Sequence, residues 1–176
     1  MVMRVIVTNY DPNWPSAFES EAEKVKAVFG DELAAIYHIG STSVPGLPAK
    51  PIIDILLVVR DIEQADQHNG DMIALGYEPM GEFGLPGRRY FRKGGDNRTH
   101  QIHAYQADNT SEIGRHLAFR DYLRAHPAEA AAYGALKEQL AGQFPEDIQS
   151  YMDGKDSFIK DREQRALAWW KARRQR

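Results

Sequence analysis

Residues Tyr37 to Val59, YHIGSTSVPGLPAKPIIDILLVV, decide how the chain reads. Two apolar runs rich in β-branched residues flank a loop of small residues, and the pattern predicts two neighbouring strands joined by that loop. The second run, Ile52 to Val59, is apolar almost throughout, as expected of a strand covered on both faces. Asp54 is the one carboxylate in the stretch. An acid inside a buried strand is costly unless hydrogen-bonded, paired or metal-bound. Gly40 allows a sharp bend, and Ser41, Thr42 and Ser43 supply hydroxyls suited to a phosphate. Asp54 either holds a metal beside that phosphate or accepts N–H bonds that fix the loop.

Outward from this stretch, Arg4–Thr8 reads as a first strand and Pro15 as the first turn of a helix ending at Gly30. Asp61 and Gln64 form a capping-box pattern for a weak helix reaching Leu75, and Tyr77–Met80 is a short strand. Arg88–Lys93 and Thr99–Gln106 read as a hairpin around Gly94-Gly95-Asp96-Asn97. From Asn109 onward the pattern is helical, with Pro127 and Pro145 opening new helices. The expected fold class is α/β in the α+β sense: a mixed-sheet core over 1–108 and a helical extension over 109–176 packed on it.

The 176 residues are 43% hydrophobic and 27% charged, an ordinary balance for one globular domain. A net charge of −3 gives no support to general nucleic-acid binding. Cys is absent, which excludes disulfides and thiolate chemistry. The N-terminal apolar run is too short for a signal peptide, and none of the runs suits a membrane span. A cytoplasmic protein without membrane partners is the expectation.

A Gly-Ser pair after one strand and an acid in the next resembles the nucleotidyltransferase (DNA polymerase β-like) superfamily. The segments HIGSTSVPGLPAKPIIDI, RHLAFRDYLRAHP and FPEDIQSYMDGKDSFI resemble the GrpB family more narrowly. That resemblance implies a nucleotidyltransferase-like core binding a nucleotide or other phosphorylated small molecule. If active, it would carry out metal-assisted nucleotidyl transfer, with Asp54 and His103 as catalytic and metal-holding residues and Mg, Mn or Zn as the divalent metal. Gly40, Ser41, Thr42, Ser43, Lys50, Arg89, His100 and Lys155 are the candidate ligand-binding residues.

The sequence also departs from these patterns. Active nucleotidyltransferases place a second acid two residues from the first, whereas Ile52 and Leu56 flank Asp54 at that spacing, and Leu cannot ligate Mg²⁺. GrpB relatives carry a His-His-hydrophobe-His pattern where this chain reads His100-Gln101-Ile102-His103, so Gln101 replaces one imidazole. Two alternatives follow: a non-catalytic nucleotide or coenzyme-binding module, or a metal-dependent hydrolase using Asp54 and His103. In the basic hairpin, strand alternation puts Arg88, Tyr90 and Arg92 on one face and Arg89, Phe91 and Lys93 on the other, so only one set can face a ligand.

Overall fold

The computed structural model describes residues 4–174. Helix α1 (Trp14–Phe29) has Pro15 in its first turn and buries Phe18, Ala22, Val25 and Phe29, as its periodicity requires. Strands β1 (Leu33–Ile39) and β2 (Ile53–Val59) follow, joined by the small-residue loop, whose Ser41–Ser43 forms one 3₁₀ turn. Next come a 3₁₀ turn at Gln64–His68, helix α2 (Asn69–Ala74) and strands β3 (Tyr77–Pro79), β4 (Arg88–Lys93) and β5 (His100–Gln106). Three helices complete the chain: α3 (Thr110–Ala125), α4 (Pro127–Gln143) and α5 (Ile148–Arg174).

The five strands form one mixed sheet in the order β1-β2-β5-β4-β3. Only β2 and β5 run parallel, and their register sets Asp54 beside Gln101 and Leu56 beside His103. Antiparallel β1 completes the other side of β2, with Ile39 opposite Asp54. Alternation then sorts the side chains. Ile53, Ile55, Leu57, Val59, Phe91, Ile102 and Ala104 pack with the apolar face of α1 into the main core. Leu56, Val58 and Tyr105 face the other way, towards Ile113 and Leu117 of α3. Each large apolar side chain so buried contributes about 1.5–3 kcal/mol. Asp54 falls on this second face, which the C-terminal helices cover.

Helix α3 is capped by Asn109, whose side-chain oxygen accepts the Glu112 N–H at 3.3 Å. Its Ala118, Tyr122 and Leu123 pack with Val44 and Leu47 of the loop, Ala130 and Tyr133 of α4, and Ala166 of α5. Two glycines permit close approach here. A Cβ on Gly134 would lie 2.9 Å from Pro48 Cδ, and one on Gly154 would lie 2.5 Å from Leu140 Cδ2. Among the described residues no helix is long and apolar enough to cross a membrane.

Three expectations are corrected. Arg4–Thr8 is not a strand: a lone bridge joins Thr8 to Ala49, and the Val5 N–H bonds the Pro145 carbonyl. Its alternation is real, since Val5 is buried and Ile6 is 54% exposed, but it packs against Leu140 and Tyr151 of the helical part and pairs no sheet edge. The Asp61 carboxylate accepts the Glu63 N–H and starts a 3₁₀ turn before the short α2, so one continuous helix does not form. The last helix begins at Ile148, where Asp147 accepts the Ser150 N–H at 3.1 Å, rather than at Pro145.

Candidate functional site

The loop after β1 is held from three sides. Gly40 has φ 73° and ψ −173°, a conformation open to glycine alone. The Ser43 hydroxyl donates to the Gly40 carbonyl and closes the 3₁₀ turn. The Thr42 hydroxyl donates to the Ile52 carbonyl at 3.1 Å, so the His38 Nε2 that lies 2.9 Å from it acts as donor. His38 stacks on Phe18 with ring centroids 4.9 Å apart, and burial pushes its pKa down to about 4. It is a neutral structural imidazole. From α3, Arg120 donates to the His38 carbonyl at 3.2 Å and Arg124 to the Ser43 carbonyl at 2.9 Å. These arginines pin the loop instead of facing a ligand.

Behind the loop lies a cavity of about 190 Å³. Its walls carry Gly40, Ser41 and Thr42, Lys50, Asp54, Gln101, Tyr133 and Lys137 of α4, and Tyr151 and Lys155 of α5. Among the described residues Asp54 is the sole carboxylate on that lining, which it shares with three lysines. Lys137 is 2% exposed and Lys155 7% exposed. The Lys137 ammonium sits 4.7 Å from the Tyr133 ring centroid, and that of Lys155 sits 4.6 Å from the Tyr151 ring centroid. The Lys50 ammonium lies 5.2 Å from the same Tyr151 ring centroid.

Burial and mutual repulsion set the charge of this group. Burial, then Lys155 and Lys50, push the Lys137 pKa down to about 6. Burial and Lys50 bring Lys155 to about 8, with Asp54 working against them. Burial also lowers Lys50. The Tyr151 hydroxyl is pushed up to about 12 by burial. Two buried donors on this wall, Lys137 Nζ and the Tyr151 hydroxyl, have no hydrogen-bond partner among the described residues.

Asp54 is held by side chains. His103 Nε2 lies 3.4 Å from its Oδ1. With the Gln101 amide turned to satisfy its neighbours, that nitrogen donates to Asp54 Oδ1 at 2.9 Å and its oxygen accepts from the Tyr90 hydroxyl at 3.3 Å. Gln101 therefore supplies an amide N–H to the carboxylate. His103 packs between Tyr90 and His116, with centroids 5.4 and 5.3 Å away, and is not part of the cavity lining.

The structure brings six of the candidate binding and catalytic residues to one cavity: Gly40, Ser41, Thr42, Lys50, Asp54 and Lys155. It separates others. The Ser43 and Thr42 hydroxyls are committed to loop bonds, which leaves Ser41 as the loop hydroxyl open to a ligand. Arg89 belongs to the opposite face of the sheet, with Phe91, and pairs with Asp66 at 2.7 Å. His100 shares that face and lies 3.9 Å from Glu21, which also binds the Tyr77 hydroxyl and Lys93. Of the two hairpin faces, the one with Tyr90 is on the Asp54 side, but Arg88 bonds the Glu82 and Phe83 carbonyls and Arg92 pairs with Glu78.

Lys137, Tyr133 and Tyr151 were not among the candidates. The signal that finds them is a shared spacing: Tyr133 and Lys137 on α4, and Tyr151 and Lys155 on α5, are both Tyr-x-x-x-Lys pairs, one helical turn apart.

The donor set does not suit a resident divalent metal of the two-ion kind. Among the described residues no group of three or more His, Asp or Glu side chains converges. Asp54 offers one carboxylate, its imidazole partner His103 lies outside the cavity lining, and three lysine side chains occupy the same space. Mg²⁺ and Mn²⁺ require hard oxygen ligands, and Zn²⁺ at a protein site normally takes three or four protein ligands.

Strand order and the glycine-serine turn facing Asp54 define the class of fold. The Cid1 poly(U) polymerase in its MgGTP-bound crystal structure superposes with a TM-score of 0.52 at 18% identity, over 77% of this chain and 44% of that one. The core is a nucleotidyltransferase-like α+β fold. Residues 4–165 match the GrpB protein family model, and the chain belongs to the GrpB family. The GrpB crystal structure from Enterococcus faecalis has a TM-score of 0.92 at 54% identity, covering 94% of this chain and 99% of that one. The UPF0157 protein YqkA of Bacillus subtilis is 52% identical over 170 residues, which are 97% of this chain and 49% of YqkA. The chain thus spans about half the length of that relative.

Proposed function

We propose that the cavity behind the Gly40–Ser43 loop binds a nucleotide or related phosphorylated ligand through its phosphate groups. One observation carries the reading: Lys50, Lys137 and Lys155 converge around a single carboxylate in a pocket walled by a glycine-serine turn. Charged hydrogen bonds from ammonium groups to phosphate oxygens are among the stronger polar contacts, more so where water is excluded. The likeness to a nucleotide-handling fold supports a nucleotide over other phosphate carriers. In this reading the lysines supply the positive charge that bound metal ions supply in two-ion enzymes. The protein acts first as a binding module.

Calorimetric titration of the full chain with a panel of nucleotides, in EDTA and then in Mg²⁺, tests this. Saturable binding in EDTA that weakens by about tenfold or more in Lys155→Met supports it, the size expected for losing one buried charged contact. Absence of binding to every nucleotide under both conditions, or affinity unchanged in Lys155→Met, refutes it. The same samples, assayed for pyrophosphate release with a nucleoside triphosphate, show whether transfer accompanies binding.

A further inference from the structure

The proposed phosphate site has a charge and hydrogen-bond deficit with a definite shape. Lys137 Nζ and the Tyr151 hydroxyl are buried donors without hydrogen-bond partners among the described residues, an arrangement that is unfavourable for each group left unsatisfied. Both belong to one wall and line the same cavity. A buried amine with no acceptor is not explained by the packing of α4, since a methylene chain of the same length would fill the space without that cost. An entering group with several acceptor oxygens satisfies both donors together.

Charge sets how many negative charges that group brings. Counted at formal charge, Lys50, Lys137 and Lys155 against Asp54 give the lining three positive charges and one negative, a net of two. Of the charged and titratable groups around Lys137, Lys50 and Asp54 face it from the loop and β2, Lys155 and Tyr151 from α5, and Tyr133 from its own helix; Glu138, also on α4, adds a negative charge from outside the cavity lining and is not in this count. The cavity of about 190 Å³ has room for phosphate groups but not for a whole nucleotide.

We propose that the site selects a doubly charged terminal phosphate, of a phosphomonoester or a polyphosphate chain, over a singly charged phosphodiester, and that Lys137 takes one proton from solvent as that group enters. The proposal rests on the phosphate-binding reading above and adds the ionic form of the ligand and the residue that responds to it. Without a bound anion, burial and its two cationic neighbours push the Lys137 pKa down to about 6. A phosphate dianion at contact distance restores the preference for the ammonium form, so affinity falls as pH rises and the proton must be supplied from bulk.

The test is calorimetry of the full chain with ATP at pH 8 in EDTA, in two buffers of different ionisation enthalpy, together with AMP and cyclic AMP as a monoester and diester pair. Proton uptake per ATP is expected to be lower by about one in Lys137→Met than in the parent, with Lys137→Gln as a second variant, because linkage counts the proton that the missing amine no longer takes. AMP is expected to bind about tenfold or more tightly than cyclic AMP, the size of one lost charged contact. Equal proton uptake in the parent and both variants, or equal affinity for AMP and cyclic AMP, overturns this inference while leaving phosphate binding intact. No binding of ATP or AMP overturns both.

Discussion

The Gly40 backbone passes directly against the Asp54 side chain: a Cβ built on Gly40 would lie 2.6 Å from Asp54 Oδ2 and 3.0 Å from Asp54 Cβ. The loop can therefore pass the carboxylate only as glycine, which also meets the backbone requirement at φ 73°. Gly40→Ala is expected to destabilise the protein by about 2 kcal/mol or more, from left-handed backbone strain and displaced contacts. In the double variant with Asp54→Ala, where the Oδ2 contact is gone, the two costs are expected to fall short of additivity by about 0.5–3 kcal/mol. Urea denaturation of the four proteins measures the cycle.

Lys137→Met removes a buried amine that has no acceptor. It is expected to raise stability by about 1–3 kcal/mol at neutral pH while weakening phosphate binding. The sign of the pH effect follows from the lowered pKa. Unfolded, Lys137 holds its proton up to about pH 10.5, whereas folded it loses it near 6, so the unfolded state binds the extra proton between those values. Parent stability should climb with pH from about 6 upward, and the climb should flatten in Lys137→Met. Thermal melts from pH 6 to 9 show the difference.

His38 acts on the acid side. Its pKa is about 4 folded against 6.5 in the free side chain, so its contribution is complete above 6.5 and lost as pH falls towards 4. The loss is expected to reach up to about 3 kcal/mol. His38→Phe keeps the stacked ring on Phe18 and should narrow the gap between urea midpoints at pH 7 and pH 4.5.

The two faces of the sheet make a binding prediction. Arg89→Ala breaks a partly exposed pair with Asp66 on the face away from the cavity, so nucleotide affinity should stay within about twofold, as expected for a surface ion pair. Arg124→Ala, by contrast, frees the Ser43 carbonyl and loosens the loop, and affinity should drop by about tenfold, the cost of one charge-assisted hydrogen bond. Parallel titrations of the two variants separate these effects.

Much of this was legible in the sequence. The paired apolar runs at Leu33–Ile39 and Ile53–Val59, the hairpin of β4 and β5 and the proline-opened helices all carry local signals that tertiary packing respects. The position of Asp54 beside the loop followed from the strand pair alone. What packing decides was not legible. Alternation divides the arginines of β4 into two sets, but only the docking of α1 against Phe91 fixes which set faces away. Arg4–Thr8 has a strand's alternation, yet it meets helices and not a sheet edge. Lys137 has the sequence of a solvated helix face, yet it is buried in a cavity whose other walls are the loop and α5. A lysine's location along a helix is local information; what lies opposite it is not.

The most direct measurement is a crystal structure of the chain grown or soaked with ATP in EDTA. The terminal phosphate is expected in the cavity behind Gly40, within hydrogen-bond distance of Lys137 Nζ and Lys155 Nζ and beside Ser41. A nucleotide bound with its phosphates on the outer face of the hairpin, or a cavity left without phosphate in saturated crystals, would contradict the assignment.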